Sequence, residues 1–227
     1  MTFSILAFDQ KNGTLAAAAA TGSLCVGGWV IRGSLHGGLV ASQGTAPSTL
    51  WREAVLTDMQ RGMTAETAIE SITKQDKGRA HRQITAIDTQ GRTGAFTGAE
   101  SVSWAGHLAG PHMVAAGNMI AGQPVLSRLC ETFSRSDGPI ADRLLSALFA
   151  AETAGGDSRG LQSAAMLVLA PDAPPLDLRI DYDERPLEAL KRLLDRVRSR
   201  PYADWLNEVP VMADPMRAPS LLAEPDP

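Results

Sequence analysis

The sequence has few cysteines, no excess of basic residues and no long apolar run. Cys25 and Cys130 are its only two cysteines, too few for a disulfide framework or a cysteine metal cluster, so we expect a reducing, cytoplasmic location. Lys and Arg number 21 against 25 for Asp and Glu, a net charge of -4. Because no basic run is interleaved with aromatic residues, nucleic acid is not an expected partner.

No secretory signal is recognisable at the N-terminus and no segment approaches the roughly 20 apolar residues of a membrane span, so we expect no membrane partner.

Hydrophobic residues make up 44% of the chain beside 20% charged residues, over 227 residues, which is typical of a folded globular protein. Residues 2–9 and 14–21 predict a hairpin around Asn12 and Gly13. Both strands are apolar at nearly every position, as expected where a sheet is covered on both faces. Five more strands are predicted, at 37–43, 83–88, 92–96, 114–116 and 164–169.

Segments with helical periodicity lie between these strands. They predict helices at 49–61, at 125–133, at 140–151 and from Pro186 to 197. A fifth helix is predicted to begin after Thr64, which would be its N-cap, with Glu66 in its first turn. Because this order contains no βαβ alternation, it predicts an α+β fold rather than a doubly wound nucleotide-binding fold. We expect one domain over residues 1–198 and a Pro-rich tail, 199–227, docked on the body or on a partner subunit of a homodimer or higher homo-oligomer.

Thr2 is the residue whose position most directly suggests chemistry. Removal of Met1 would leave a threonine with a free α-amine beside its own hydroxyl. An α-amine has a pKa of about 7.7 to 8.0 and can accept the hydroxyl proton, so one residue would supply both nucleophile and base. A threonine after an initiator methionine is also common, so its position alone does not establish catalysis.

Several segments together resemble an uncharacterised bacterial and archaeal family, domain of unknown function 1028. They run in order from residue 2 to about residue 195, nearly the whole chain except the tail. These segments are TFSILAFD, LAAAAATGS followed by VGG, GGLVASQ, His81-Arg82-Gln83, AFTGAE at 95–100, WAGH at 104–107, GNMIAG at 117–122 and GGDSRGLQSAA at 155–165.

The resemblance implies the fold of N-terminal-nucleophile (Ntn) hydrolases, a four-layer αββα sandwich of two mainly antiparallel sheets covered by helices. It implies that Thr2 attacks a small amide or peptide-like substrate, that Asn118 donates a hydrogen bond to the oxyanion, and that Asp157 and Ser163 lie near Thr2 and orient its amine. No cofactor and no metal are expected. Other residues of the same segments are candidates for substrate binding, or for bonds that tie the sheet ends together: Gln43, Arg82, His107, Arg159 and Gln162.

Two departures from proteasome-like enzymes leave other functions open. The second strand ends in Ala20, Thr21, Gly22 and Ser23 where those enzymes carry an Asp, and no lysine clearly matches the one expected beside the nucleophile. The chain is therefore either an Ntn-type amidohydrolase, or a catalytically inactive Ntn-fold protein that binds a small ligand or serves in an assembly. A weaker third hypothesis is a metal-dependent hydrolase that uses His107 and His112, although the chain has no HExxH motif.

Overall fold

The computed structural model describes residues 2–102, 104–156 and 160–219. Its strands are β1 (Thr2–Asp9), β2 (Thr14–Thr21), β3 (Ile31–Ser34), β4 (Gly38–Gly44), β5 (Arg82–Ile87), β6 (Thr93–Thr97), β7 (Ala105–Gly110), β8 (Met113–Asn118), β9 (Ser163–Ala170) and β10 (Ala173–Ile180). Its helices are α1 (Val26–Trp29), α2 (Thr49–Gln60), α3 (Ala65–Gln75), α4 (Gln123–Arg135), α5 (Ile140–Thr153), α6 (Pro186–Val197) and α7 (Tyr202–Leu206).

The strands form two sheets, and every strand pair is antiparallel. The larger sheet has the order β10-β9-β2-β1-β8-β7, and the smaller one has the order β3-β4-β5-β6. The β1–β2 hairpin has the predicted bounds, with Thr2 opposite Thr21 and Asp9 opposite Thr14. The predicted α+β class and the two antiparallel sheets are therefore confirmed.

Three hydrophobic clusters cover the faces of the sheets. The first joins the larger sheet to α4, α5 and α6 and includes Phe3 and Ile5 of β1. The second contains residues of both sheets, among them Leu6, Leu39 and Ile87. The third joins the smaller sheet to α2 and α3. Each sheet thus packs against helices on one face and against the other sheet on the other, which explains why the central strands are apolar on both faces.

Helices form at all five predicted segments, and the four for which both ends were predicted differ from the prediction by at most two residues at either end. Two of them begin at a side chain that accepts a backbone hydrogen bond. Ser48 Oγ accepts from the amide of Trp51 at 3.2 Å, and Thr64 Oγ1 accepts from the amide of Thr67 at 3.2 Å. These caps satisfy amide groups that have no partner inside the helix.

The prediction missed three strands, β3, β7 and β10, and each lies at the edge of its sheet. Edge strands need not be apolar on both faces, and they tolerate glycine and proline. In β10, Pro174 and Pro175 break the expected strand pattern, and β7 contains Gly106 within AGHLAG. A Cβ atom at Gly33 in β3 would lie 2.5 Å from Leu39 Cδ2, so a larger residue there would displace that side chain.

The tail contacts the body of the protein over part of its length. Val211 is buried, and the amide of Ala213 donates to the carbonyl of Pro171 at 2.8 Å. Docking of the whole tail stays a prediction, because residues 220–227 lie outside the described residues. In the part of the chain that the structure describes, no helix has both the length and the apolar character needed to cross a membrane.

Candidate active site

Thr2 lies at the beginning of β1, in the middle of the larger sheet. It is flanked by Thr21 on β2 and by Asn118 on β8, each directly opposite in register. The hydroxyl oxygens of Thr2 and Thr21 are 3.1 Å apart, within hydrogen-bond distance. Among the described residues, the hydroxyl of Thr2 thus has a neutral hydroxyl as a side-chain partner.

Strand periodicity directs the Thr2 side chain toward the second sheet. Side chains alternate between the two faces of a strand, and Leu6 belongs to the cluster between the sheets. Thr2 and Ser4 share that face, whereas Phe3 and Ile5 pack against the helices. The face of β1 that meets the other sheet is therefore polar at its beginning and apolar further along.

Gln43 of β4 connects the two sheets at this polar end. The hydroxyl of Ser4 donates to Gln43 Oε1 at 2.7 Å. Gln43 Nε2 donates to the carbonyl oxygen of Thr2 at 3.3 Å and to Gln83 Oε1 at 2.8 Å, with a longer contact of 3.5 Å to Asn118 Oδ1. Because Gln43 is only 1% exposed, these bonds fix the backbone of Thr2 from inside the protein.

Gln83 of β5 extends the same network to β6 and to β7 and β8 of the larger sheet. Its Nε2 group donates to Thr97 Oγ1 at 2.8 Å and to the carbonyl oxygens of Gly106 at 2.9 Å and Gly117 at 3.1 Å. Thr97 Oγ1 is in turn 2.9 Å from His107 Nδ1. One continuous chain of hydrogen bonds therefore joins the Thr2 carbonyl to His107, whose pKa is lowered by burial.

Thr2 opens into a cleft of about 480 Å³. One side of the cleft carries hydroxyl and amide groups, and the other side is apolar. Within the described part of the chain, every residue that lines it is uncharged. They are Thr2, Thr21, Ser23, Leu24, Val26, Trp29, Val30, Gln43, Gly44, Thr45, Pro47 and Met119.

The comparison with known families decides where this chain belongs. A model of a family of unknown function, DUF1028, matches residues 2–190. The chain belongs to the DUF1028 family. It is similar to protein SPO2555 from Silicibacter pomeroyi, a DUF1028 protein of known crystal structure, with 49% sequence identity and a TM-score of 0.91 over 96% of this chain and 98% of that one. No protein with a curated description matches the chain.

The structure brings some of the predicted catalytic residues of this DUF1028 protein together. Thr2 and Asn118 are adjacent on β1 and β8. Ser163 lies on β9, opposite Thr21, where its hydroxyl donates to the carbonyl of Ser23 at 2.7 Å and accepts from the amide of Val26 at 3.1 Å. These contacts hold the loop after β2, whereas its predicted role beside the Thr2 amine stays a prediction. Asp157 lies outside the described residues.

The predicted substrate-binding residues are dispersed. Gln43 lines the cleft. Arg82 is instead engaged in an ion pair with Asp76, a bond from Nε to the carbonyl of Ala46 at 3.1 Å and a contact over the ring of Trp51. These contacts connect the beginning of β5 to α2, to the segment that follows β4 and to the segment that follows α3.

Two further substrate-binding candidates also lie apart from the cleft lining. His107 lines a separate pocket with Glu66 and Phe96. The backbone of Gln162 bonds to Thr21 and Asp183. Arg159 lies outside the described residues.

The histidines of the metal hypothesis are also separated. His112 packs against the ring of Phe8 and lines a pocket with Arg143, whereas His107 contacts Thr97 in a different pocket. His81 pairs with Glu100 at 2.9 Å. Residues 2–102, 104–156 and 160–219 contain no group of three His, Cys, Asp or Glu side chains that could hold a metal ion.

Sequence reasoning missed Ser4, Thr21, Gln83 and Trp29 as site residues. Ser4 and Gln83 are polar residues at inward-facing positions of otherwise apolar strands, a signal that was present in the sequence. A buried glutamine needs several hydrogen-bond partners, so Gln83 at such a position indicates a polar network. Trp29 gave no comparable signal, because only the folded chain shows that it borders the cleft.

Proposed function

We propose that this DUF1028 protein is an Ntn-type amidohydrolase in which Thr2, once residue 1 is removed, attacks a small amide or peptide-like carbonyl. The observation that carries the proposal is the setting of Thr2. Its hydroxyl faces a cleft of about 480 Å³ and lies 3.1 Å from a second hydroxyl, and its carbonyl is held by the buried amide of Gln43. Helices that pack against each sheet, and a hydrophobic cluster shared by the two sheets, support an Ntn-type four-layer sandwich as part of this proposal.

In the proposed reaction, Thr2 Oγ1 forms a bond to the substrate carbonyl carbon while its proton passes to the Thr2 α-amine. The carbon–nitrogen bond of the substrate then breaks, and the same proton goes to the leaving amine. Water next attacks the resulting ester, with the α-amine again as base. This step releases the acid and restores the Thr2 hydroxyl.

Each neighbour of Thr2 has a part in this scheme. The Asn118 side-chain amide, adjacent to Thr2 in register, donates to the developing oxyanion. Thr21 fixes the rotamer of the Thr2 hydroxyl through the 3.1 Å contact. Gln43 holds the Thr2 backbone, and Asp157 and Ser163 retain the orienting role that the family resemblance implies.

One observation favours the second candidate, a catalytically inactive protein that binds a small ligand. The described groups beside Thr2 include the hydroxyl of Thr21 and the amides of Gln43 and Asn118. These groups are neutral, so they give an ammonium group at Thr2 no opposite charge within the described site. The two candidates differ in whether Thr2→Ala abolishes turnover or leaves a binding function intact.

The test is hydrolysis of N-acetyl-L-leucine p-nitroanilide by protein whose N-terminal residue is shown by intact mass to be Thr2. We expect Thr2→Ala to lower kcat/KM at least about a thousandfold with an unchanged Tm, and Thr2→Ser to retain part of the activity. Thr14→Ala is the matched control. Thr14 is buried like Thr2, but it lies on β2 at the turn end of the β1–β2 hairpin, away from the cleft lining. Equal activity of Thr2→Ala and the unsubstituted protein would exclude the proposal.

A further inference from the structure

The apolar side of the cleft is built from the loop after β2 and from α1. Leu24 and Trp29 project from this segment and are 52% and 53% exposed, yet both line the cleft that contains Thr2. Val26 and Val30 continue the same wall. Large apolar side chains that are left exposed in a concave site indicate a ligand that covers them.

Buried polar groups hold this wall at both ends. At one end, Ser163 Oγ bonds to the carbonyl of Ser23 and the amide of Val26. At the other end, Arg52 Nη1 donates to the carbonyls of Gly28 and Trp29, each at 2.8 Å, although Arg52 is only 3% exposed. The guanidinium therefore fixes the end of α1, and with it the position of Trp29.

Close packing behind the wall adds to this rigidity. A Cβ atom at Gly27 would lie 2.8 Å from Arg179 Cγ and 2.9 Å from Ala165 Cβ, so α1 lies directly against β9 and β10. A wall that is fixed before binding loses little conformational entropy when a ligand arrives. The backbone that carries the exposed apolar side chains is thus preorganised.

The opposite side of the cleft offers hydrogen bonds to the ligand. It carries the hydroxyls of Thr2, Thr21 and Thr45 and the amide of Gln43. An amide group of a ligand can exchange hydrogen bonds with these hydroxyls and with Gln43.

We propose that the cleft selects an amide with a hydrophobic side chain next to its carbonyl. The side chain packs on Trp29 and Leu24, and the carbonyl carbon lies at Thr2 Oγ1. Placement of the carbonyl rests on the proposed function, whereas the preference for a hydrophobic side chain does not. Trp29 is therefore a specificity-determining residue of this site.

Calorimetric titration of the Thr2→Ala protein separates binding from turnover. The probes are N-acetyl-leucinamide, N-acetyl-lysinamide and the α-amide of N-acetyl-glutamate, which are similar in size and differ in side-chain charge. We expect N-acetyl-leucinamide to bind at least about tenfold more tightly than either charged amide. Comparable affinities for all three, or no binding of N-acetyl-leucinamide, would overturn the inference.

Trp29→Ala tests the wall itself. We expect it to weaken N-acetyl-leucinamide binding about tenfold, since it removes the largest apolar contact. Trp205→Ala is the matched control, because Trp205 is equally exposed, at 51%, but lies on α7, and we expect it to leave the affinity unchanged. The same loss of affinity in both variants would contradict the assignment of Trp29.

The two proposals fail in different ways. Tight, Trp29-dependent binding of N-acetyl-leucinamide without any hydrolysis of the leucine anilide would support the inference and reject the amidohydrolase. Thr2-dependent hydrolysis at equal rates for leucine, lysine and glutamate anilides would support the amidohydrolase and reject the inference.

Discussion

The layer between the two sheets is apolar at one end and polar at the other. At the apolar end, Leu6, Leu15, Leu39 and Ile87 pack in one cluster. The same faces of β1, β2, β4 and β5 carry polar residues at the other end. These are Ser4 and Thr2, Thr21, Gln43 and Gln83.

Both ends are buried, so exposure does not explain the difference between them. The apolar end gains free energy from burial of hydrocarbon surface. The polar end avoids the cost of buried unpaired groups because Gln43 and Gln83 bond to each other and to both sheets. The apolar end is thus stabilised by packing, whereas the polar end is stabilised by hydrogen bonds and carries groups that line the cleft.

The largest effect on stability is expected at the apolar end. Leu39→Ala removes a fully buried side chain and should lower the free energy of unfolding by about 2 to 5 kcal/mol, measured by urea denaturation. Leu50→Ala is the control, because Leu50 is 79% exposed, and it should change stability by less than about 0.5 kcal/mol. A similar loss of unfolding free energy in the two variants would contradict the conclusion that packing at the apolar end stabilises the fold.

A somewhat smaller loss is expected when the polar end is made apolar. Gln83→Leu adds hydrocarbon but takes the partners from Gln43 and from two backbone carbonyls. We expect a loss of about 1 to 3 kcal/mol, compared with no significant change for the exposed Gln75→Leu. A more stable Gln83→Leu protein would show that the hydrogen bonds do not stabilise this end.

Thr85 lies where the apolar end of the layer meets the polar end, and its hydroxyl can be replaced by a methyl group. It lies between Gln83 and Ile87 on the same face of β5, it is fully buried, and its Oγ1 atom has no hydrogen-bond partner among the described residues. Thr85→Val should therefore raise the free energy of unfolding by about 1 kcal/mol. A clear decrease in thermal denaturation temperature would mean that the hydroxyl has a partner.

The smallest effect is expected from an exposed ion pair outside this layer. Arg198 donates to both carboxylate oxygens of Asp142 at 2.7 Å, and this bond lowers the pKa of Asp142. Because the pKa is lower in the folded state than in the unfolded state, the pair stabilises the protein above the unfolded pKa, and its contribution is lost as the pH falls through the folded value.

Asp142→Asn measures that contribution. It should cost about 0.2 to 1 kcal/mol at pH 7, and the difference from the unsubstituted protein should shrink as the pH is lowered toward 3. Urea denaturation at several pH values provides the measurement. A difference that grows in acid would contradict this assignment of the ion pair.

The central strands and the helices were predictable because burial on both faces or on one helical face leaves a pattern in the sequence. The edge strands β3, β7 and β10 were not, since their glycines and prolines obscure that pattern. Thr2 and Gln43, which the sequence and the family resemblance named as candidates, both line the cleft.

Residue type alone did not show whether the side chains of the other candidate site residues point into the cleft. Arg82 is bound to Asp76 and His107 to Thr97, whereas Gln83 proved to be part of the network. The bonds from Gln83 to Gly106 and Gly117 join residues that are distant in sequence. Such contacts depend on sheet stacking, which local periodicity does not reveal.

Acylation of Thr2 is the most direct test that the polar end serves a nucleophile. Protein with Thr2 at its N-terminus would be mixed with the p-nitrophenyl ester of N-acetyl-leucine, quenched in acid and analysed by peptide mass. We predict one acyl group on Thr2, removable by hydroxylamine as expected for an ester, and none in Thr2→Ala. An acyl group that resists hydroxylamine, or equal labelling of Thr2→Ala, would contradict a catalytic Thr2 hydroxyl.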